Sequence, residues 1–148
     1  MITHPYLRAF LAGAFMPTLV LPLILTLFIV VRVVLECPVP IERGMVFPMA
    51  LAPCLWALWN MLWMGTHERT HLSLGVHGAL LPLLLAPLGA LVASASGVFV
   101  LGATGVVWFQ TWHSPYVFIA CGFAAALVAY YLLWKYVVGF VNRVLGIA

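Results

Sequence analysis

Four long apolar stretches alternate with short polar segments along this chain, at about 7–35, 46–65, 74–102 and 116–141. A helix that crosses a bilayer needs roughly 20 predominantly apolar residues, and each stretch is that long. Because the bilayer offers no water to the backbone, each stretch is predicted to be an α-helix. The alternation with period two that marks a membrane β-barrel is absent. The pattern therefore predicts an all-α integral membrane four-helix bundle, with residues 1–148 forming one transmembrane domain.

The composition of the chain also indicates a membrane environment. The chain is 66% hydrophobic and 6% charged, whereas soluble chains carry roughly a quarter charged residues. The sixty-five residues between Arg69 and Lys135 include no Asp, Glu, Lys or Arg, and a soluble domain could not keep such a length in water. The net charge of +3 is too small and too scattered for a nucleic-acid surface. The expected partner is the lipid bilayer.

The distribution of basic residues predicts an orientation. With four spans, the side that holds both termini also holds four basic residues: Arg8, Arg69, Lys135 and Arg143. The opposite side holds Arg32 and Arg43. The positive-inside rule then favours both termini in the cytoplasm. The short loops fit a bacterial inner membrane.

The two halves of the chain show a similar order of glycine and proline. Gly13, Ala14, Pro17 and Pro22 recur 65 residues later as Gly78, Ala79, Pro82 and Pro87. An offset of 67 relates Pro48 and Cys54 to Pro115 and Cys121. This indicates two tandem helical hairpins related by a pseudo-two-fold axis along the membrane normal. Chance similarity between two apolar, low-complexity segments is the alternative, and the sequence leaves both open.

Kinked helices and one aromatic face suggest a ligand cavity. Proline removes a backbone donor and bends its helix, so paired kinks could frame a cavity near the middle of the membrane. The cavity candidates are Pro17, Pro22, Pro82, Pro87, Trp56 and Asn60. An aromatic face with one amide suits a hydrophobic ligand or lipid. The alternative is that the kinks and aromatic rings only shape helix packing.

Small residues spaced four apart mark faces where helices can approach closely. The helix-packing candidates are Gly13, Gly89, Ala93, Gly97, Gly122, Ala125 and Ala126. Their partner is either another helix of the chain, a second copy in a homo-oligomer, or another membrane protein.

The second loop contains the motif HExxH, formed by His67-Glu68-Arg69-Thr70-His71. On a helix the two histidines would share one face and could hold zinc. His77 lies ten residues after His67, a spacing that resembles the extended zinc motif of the metzincin proteases over eleven residues. The glycine stands at Gly75, one place later than in that motif. The resemblance implies His67, His71 and His77 as zinc ligands and Glu68 as general base.

The alternative for these histidines is a polar loop among lipid headgroups that binds no metal.

Almost no charge lies within the spans, so the leading hypothesis is a non-enzymatic oligomeric or accessory scaffold. A zinc-dependent membrane hydrolase and a small repeat-built transporter or channel are the alternatives. The cofactor is unknown, and zinc belongs only to the hydrolase hypothesis. No strand is predicted, and Trp108–His113 is expected to be a short interfacial segment. An aromatic belt is expected to account for most of the aromatic residues near span ends, which are Trp63, Trp108, Trp112, Trp134 and Tyr136.

Overall fold

A computed structural model describes residues 4–38, 40, 42–43 and 47–147, and it is mostly helical (77%). Helix α1 spans Pro5–Ile29 and continues as a π-helix over Val30–Val34. Helix α2 spans Phe47–Thr70 and α3 spans Leu74–Ala95. Strands β1, β2 and β3 span Phe99–Leu101, Gly105–Trp108 and Trp112–Pro115. Helix α4 (Tyr116–Leu132) passes through a π-helix (Leu133–Val138) into α5 (Gly139–Val144), forming one continuous α4–α5 helix.

Three helices are long and apolar enough to cross a membrane, which indicates a membrane protein. Among the residues that the structure describes, these three are Pro5–Val34, Leu74–Ala95 and Tyr116–Val144. Helix α2, the predicted second span, is not among them. It carries three tryptophans, Asn60 and the internal Pro53. Of these residues, Trp56, Asn60 and Trp63 are buried against neighbouring helices.

The connection between α3 and α4 corrects the all-α prediction. It forms a three-stranded antiparallel sheet in the order β1-β2-β3. The third predicted span consequently ends at Ala95 and not at Gly102. The strands are rich in β-branched and aromatic residues, which favour a pleated surface. Hydropathy and charge alone do not separate such strands from the end of a membrane helix, because this segment stays uncharged throughout.

Gly97 ends helix α3 and does not belong to its packing face, which corrects the prediction for this residue. Its φ is 71°, a left-handed conformation that glycine adopts without steric cost. The Gly97 amide donates to the Ser94 carbonyl, and the Val98 amide donates to the Ala93 carbonyl. This pair of bonds is the Schellman cap, and it turns the chain directly into β1.

The first helical hairpin consists of α1 packed antiparallel against α2. A Cβ at Gly13 would lie 2.8 Å from the Ala57 Cα and 2.9 Å from the Asn60 Cβ. Only glycine permits this approach. One turn earlier on α1, the backbone carbonyl of Ala9 accepts a hydrogen bond from Asn60.

The second hairpin consists of α3 packed antiparallel against the α4–α5 helix. Gly78 lies against the indole of Trp134, and a Cβ there would overlap that ring. A Cβ at Gly75 would lie 3.2 Å from the Lys135 Cβ, and one at Gly139 would lie 3.4 Å from the Leu74 side chain.

The two hairpins meet at one end. In the described part of the chain, the buried residues of α1 lie between Ala9 and Pro17, and those of α3 between Gly75 and Leu81. No residue of α4 is buried, whereas the π-helix and α5 after it bury Trp134, Val138, Gly139 and Asn142. The core cluster unites Trp56, Leu81, Trp134 and Val138. We call this end the junction and the opposite half the open end.

The contacts within the two hairpins follow different registers. Gly13 meets Ala57, and the sequence offsets would carry that contact to Gly78 and Ala124. Gly78 instead packs against Trp134. The link between the helices of the second hairpin is the sheet, and the link of the first is a segment from 35 to 46 in which the described residues form no strand.

Candidate functional site at the junction of the two hairpins

A pair of asparagines joins the two hairpins at the junction. The Asn60 Nδ2 donates to the Asn142 Oδ1 at 2.9 Å, and the Asn142 Nδ2 donates to the Asn60 Oδ1 at 3.2 Å. The Asn60 Nδ2 also donates to the Ala9 carbonyl at 2.8 Å. Both side chains are fully buried. Three helices, α1, α2 and α5, therefore share one amide cluster.

These are the two asparagines of the whole sequence. An amide costs free energy to bury in an apolar bundle unless it finds a partner. Each asparagine is the natural partner of the other, since a carboxamide offers a donor and an acceptor side by side. In membranes such interhelical hydrogen bonds each contribute about 0.6–1.7 kcal/mol.

Trp59, the residue before Asn60, makes a second reciprocal link, in this case to α3. Its indole Nε1 donates to the backbone carbonyl of His77 at 2.9 Å. The His77 Nε2 lies 3.1 Å from the Trp59 carbonyl and donates to it, because a carbonyl can only accept. The two rings stack with centroids 4.6 Å apart. Neighbouring residues of α2 therefore bind both helices of the second hairpin, which makes α2 the hub of the molecule.

Aromatic rings fill the space beside these links. Trp56 lies 5.4 Å from Trp134 and 5.2 Å from Tyr130, measured between ring centroids. Trp134 is fully buried, and its position corrects the expectation of an aromatic belt. Within the described chain, the Trp134 Nε1 has no hydrogen-bond partner. Trp134 belongs to the π-helix Leu133–Val138, a helical form that is frequent at functional sites.

The end of α5 is tied back to α1. The Arg8 guanidinium donates to the Leu145 carbonyl at 3.3 Å. Gly146, with φ of 67°, closes the helix with a second Schellman cap, in which the Ile147 amide donates to the Asn142 carbonyl. A cation at this position also complements the negative end of the helix dipole.

The structure separates the histidines of the HExxH motif. Helix α2 ends at Thr70, and His71 has φ of 53°, so it does not continue the helical face of His67. His67 stacks on Trp63, and its Nδ1 donates to the Met64 carbonyl at 2.9 Å. His77 is committed to Trp59, and Glu68 is exposed. Among the residues described, no group of three His, Cys, Asp or Glu side chains is placed to hold a metal ion.

The residues expected to line a ligand cavity fall into two groups. Trp56 and Asn60 are buried in protein contacts, with their surfaces taken up by Trp134, Tyr130, Asn142 and Ala9. Pro17 is buried and Pro82 half-buried, whereas Pro22 and Pro87 are exposed. At the junction, the aromatic and amide residues therefore hold helices together.

The small-residue faces also fall into two groups. Gly13 lies in the close contact between α1 and α2. In contrast, a Cβ at Gly89 or Gly122 would meet nothing within 4 Å. Ala125 is exposed, and Ala93 and Ala126 are half-buried. Gly89, Gly122 and Ala125 thus face away from the chain itself, whereas Ala93 and Ala126 are partly covered by it.

No known protein family, curated protein or solved structure matches this chain.

Sequence reasoning missed Asn142 and the role of Trp134. The signal for Asn142 was present, since a chain with two asparagines in apolar helices predicts that they pair. No comparable signal exists for Trp134, because a tryptophan near a helix end is equally common at the lipid interface. The polar groups of the junction are amides, indoles and imidazole, and they suit helix association.

Proposed function

We propose that this protein is a non-enzymatic integral membrane scaffold that associates with a second copy through the open end of α3 and α4. The observation that carries the proposal is the contrast between the two ends of the bundle. The junction is locked by two reciprocal polar links, whereas a Cβ added to Gly89 or Gly122 would have no neighbour within 4 Å. Small residues let helix backbones approach closely in lipid, where packing drives association.

In this proposed scaffold, helix α2 is a fourth helix that crosses the membrane. Its 24 residues give a length of about 36 Å, enough for a hydrocarbon core of roughly 30 Å. Its antiparallel packing along α1 supports this, as does the burial of Trp56, Asn60 and Trp63. With polar side chains turned inward, α2 can tolerate a lower hydropathy than its neighbours.

Four crossings return both termini to one side, and the positive-inside rule assigns that side to the cytoplasm. A bacterial inner membrane is the proposed location. The exposed Pro22 and Pro87 lie towards the open end, where lipid chains or another apolar ligand would contact these proline-containing helices.

Cysteine cross-linking in native membranes tests the association. Cys121 lies next to Gly122 on α4 and is exposed. A variant that keeps Cys121 and carries Cys37→Ser and Cys54→Ser should form a disulfide-linked dimer when oxidised. Adding Gly122→Leu should reduce the cross-linked fraction at least severalfold, since the bulky side chain separates the helices.

Ala50→Leu provides the matched control, because Ala50 is an exposed small residue of α2. It should leave the cross-linked fraction unchanged. A chain that yields no Cys121 dimer in membranes and is monomeric in mild detergent would refute the proposed scaffold.

A further inference from the structure

The charge of the molecule is divided unequally between its two ends. The junction end carries four basic residues and one acidic residue: Arg8, Arg69, Lys135, Arg143 and Glu68. At the open end Arg32 and Arg43 are balanced by Glu36 and Glu42, and the sheet carries no charge. The whole net charge of +3 therefore lies at the junction end.

Folding is what gathers these charges. Arg8 lies in the second turn of α1, Arg69 in the last turn of α2 and Arg143 in the last turn of α5. The antiparallel hairpins and the Asn60–Asn142 link bring all three helix ends to one face. Arg69 and Arg143 are exposed, and Arg8 is half-buried.

The helix dipoles add to this field. Helices α1 and α3 both begin at the junction end, and neither has an acidic residue in its first turn. Helices α2 and α5 end there, and each carries a basic residue in its last turn. Positive helix N-termini are thus left without acidic compensation, and the negative C-termini are offset by cations.

Lys135 marks the depth at which this face meets the membrane. Its Nζ lies 5.5 Å from the ring centroid of Tyr131 and 5.3 Å from that of Tyr136. Lysine and tyrosine side chains of this kind occupy the headgroup level, where an apolar stem and a polar tip are both satisfied. The Lys135 Cβ lies beside Gly75 in the first turn of α3.

We propose that the junction end is a docking face for the anionic headgroups of the surrounding leaflet. The occupant is a phospholipid with a net negative headgroup, recognised by Arg69, Arg143 and Lys135. The charges of the two surfaces are complementary. Each Lys or Arg near an anionic membrane surface strengthens binding to that surface by about fivefold. The inference rests on the membrane placement and orientation proposed above.

Competition between two lipids tests the proposal. The full-length protein in mild detergent is incubated with equal amounts of dioleoylphosphatidylglycerol and dioleoylphosphatidylcholine, and the co-purified lipids are quantified by mass spectrometry. The wild type should retain phosphatidylglycerol in excess, and added salt should reduce that excess. The double variant Arg69→Gln/Arg143→Gln should lower the retention ratio by about fivefold for each cation removed.

Arg32→Gln/Arg43→Gln removes the same charge at the open end and should leave the ratio unchanged. Glu68→Gln removes the acidic residue of the junction end and should raise it, which keeps the test valid if the double variant folds poorly. Equal retention of the two lipids by the wild type, or equal losses in both double variants, would overturn the proposal. The cross-linking of Cys121 is measured separately, so a failure of lipid selectivity is distinguishable from a failure of association.

Discussion

The carboxamide of Asn60 on α2 and that of Asn142 on α5 exchange two hydrogen bonds, at 2.9 and 3.2 Å, in the fully buried centre of the junction. This pair connects the first hairpin to the second across eighty-two positions of sequence. Asn60 also donates to the Ala9 carbonyl. Because the two carboxamides bond each other, the loss of either asparagine leaves buried polar atoms of the other without their partner.

Replacing Asn60 or Asn142 by alanine should each destabilise the folded protein by about 1–3 kcal/mol, the cost of an unsatisfied buried group. The double variant should cost less than the sum, because removing both partners leaves fewer orphaned groups. Unfolding by increasing sodium dodecyl sulfate, followed by tryptophan fluorescence, measures these values. Thr18→Ala is the control, since the Thr18 hydroxyl bonds its own helix on the exposed surface. Strictly additive losses would contradict a direct link.

His77 provides a second test of the junction. His77→Phe keeps a ring to stack on Trp59 but removes the donor to the Trp59 carbonyl, so a loss of about 1 kcal/mol is expected. His77→Ala also removes the stacked ring and should cost about 3 kcal/mol. The same unfolding titration applies. His113→Phe, in the exposed part of the sheet, should have little effect, and an equal loss in all three variants would argue against the stacking contact.

Gly13 and Gly89 should respond oppositely to enlargement. Gly13→Leu places a side chain into the backbone of α2 and should destabilise the fold by about 1–3 kcal/mol through overpacking. Gly89→Leu meets open space, so the stability of the monomer should change by less than about 0.5 kcal/mol. Thermal unfolding by circular dichroism in detergent distinguishes the two. A large loss in Gly89→Leu under monomeric conditions would mean that this face packs within the chain.

The tip of the sheet stores backbone strain that substitution can relieve. Phe109 and Gln110 have φ of 50° and 59°, and the Thr111 amide donates to the Trp108 carbonyl across them. Two positive φ values in such a turn strongly favour Asn-Gly. The double variant Phe109→Asn/Gln110→Gly should therefore stabilise the protein by about 1–2 kcal/mol. Amide hydrogen exchange of β2 and β3 measures the effect, and faster exchange would contradict a strained turn.

Removal of metal should leave the protein unchanged. His67 and His77 are engaged with Met64 and Trp59, and His71 leaves the helix that would align it. We expect less than stoichiometric zinc in the purified protein, and no change of melting temperature on dialysis against a chelator. Glu68→Gln should likewise retain the wild-type stability. One zinc per chain that depends on His67 would restore the hydrolase hypothesis.

Helix boundaries were predictable from the sequence where the length of the apolar stretch alone determines them. The starts of α3 at Leu74 and α4 at Tyr116 agree with the predicted spans, because the change from polar to apolar residues there coincides with the helix boundary. The end of α3 was not predictable in the same way. Gly97 and the residues after it stay apolar and uncharged while the backbone changes from helix to strand. The composition of such a segment indicates whether it lies in lipid or in water, but hydrogen bonding between strands decides its conformation.

The candidate site was likewise predictable only in part. The sequence by itself determined that this chain is apolar enough for a membrane, that its basic residues are unequally placed, and that it has few polar groups to bury. Tertiary structure alone decided that Asn60 meets Asn142, that His77 serves Trp59 and not a metal, and that Gly13 is enclosed while Gly122 is open. The physical reason is that residue type sets the cost of burial, whereas the partner that offsets this cost is chosen by helix register across the whole chain.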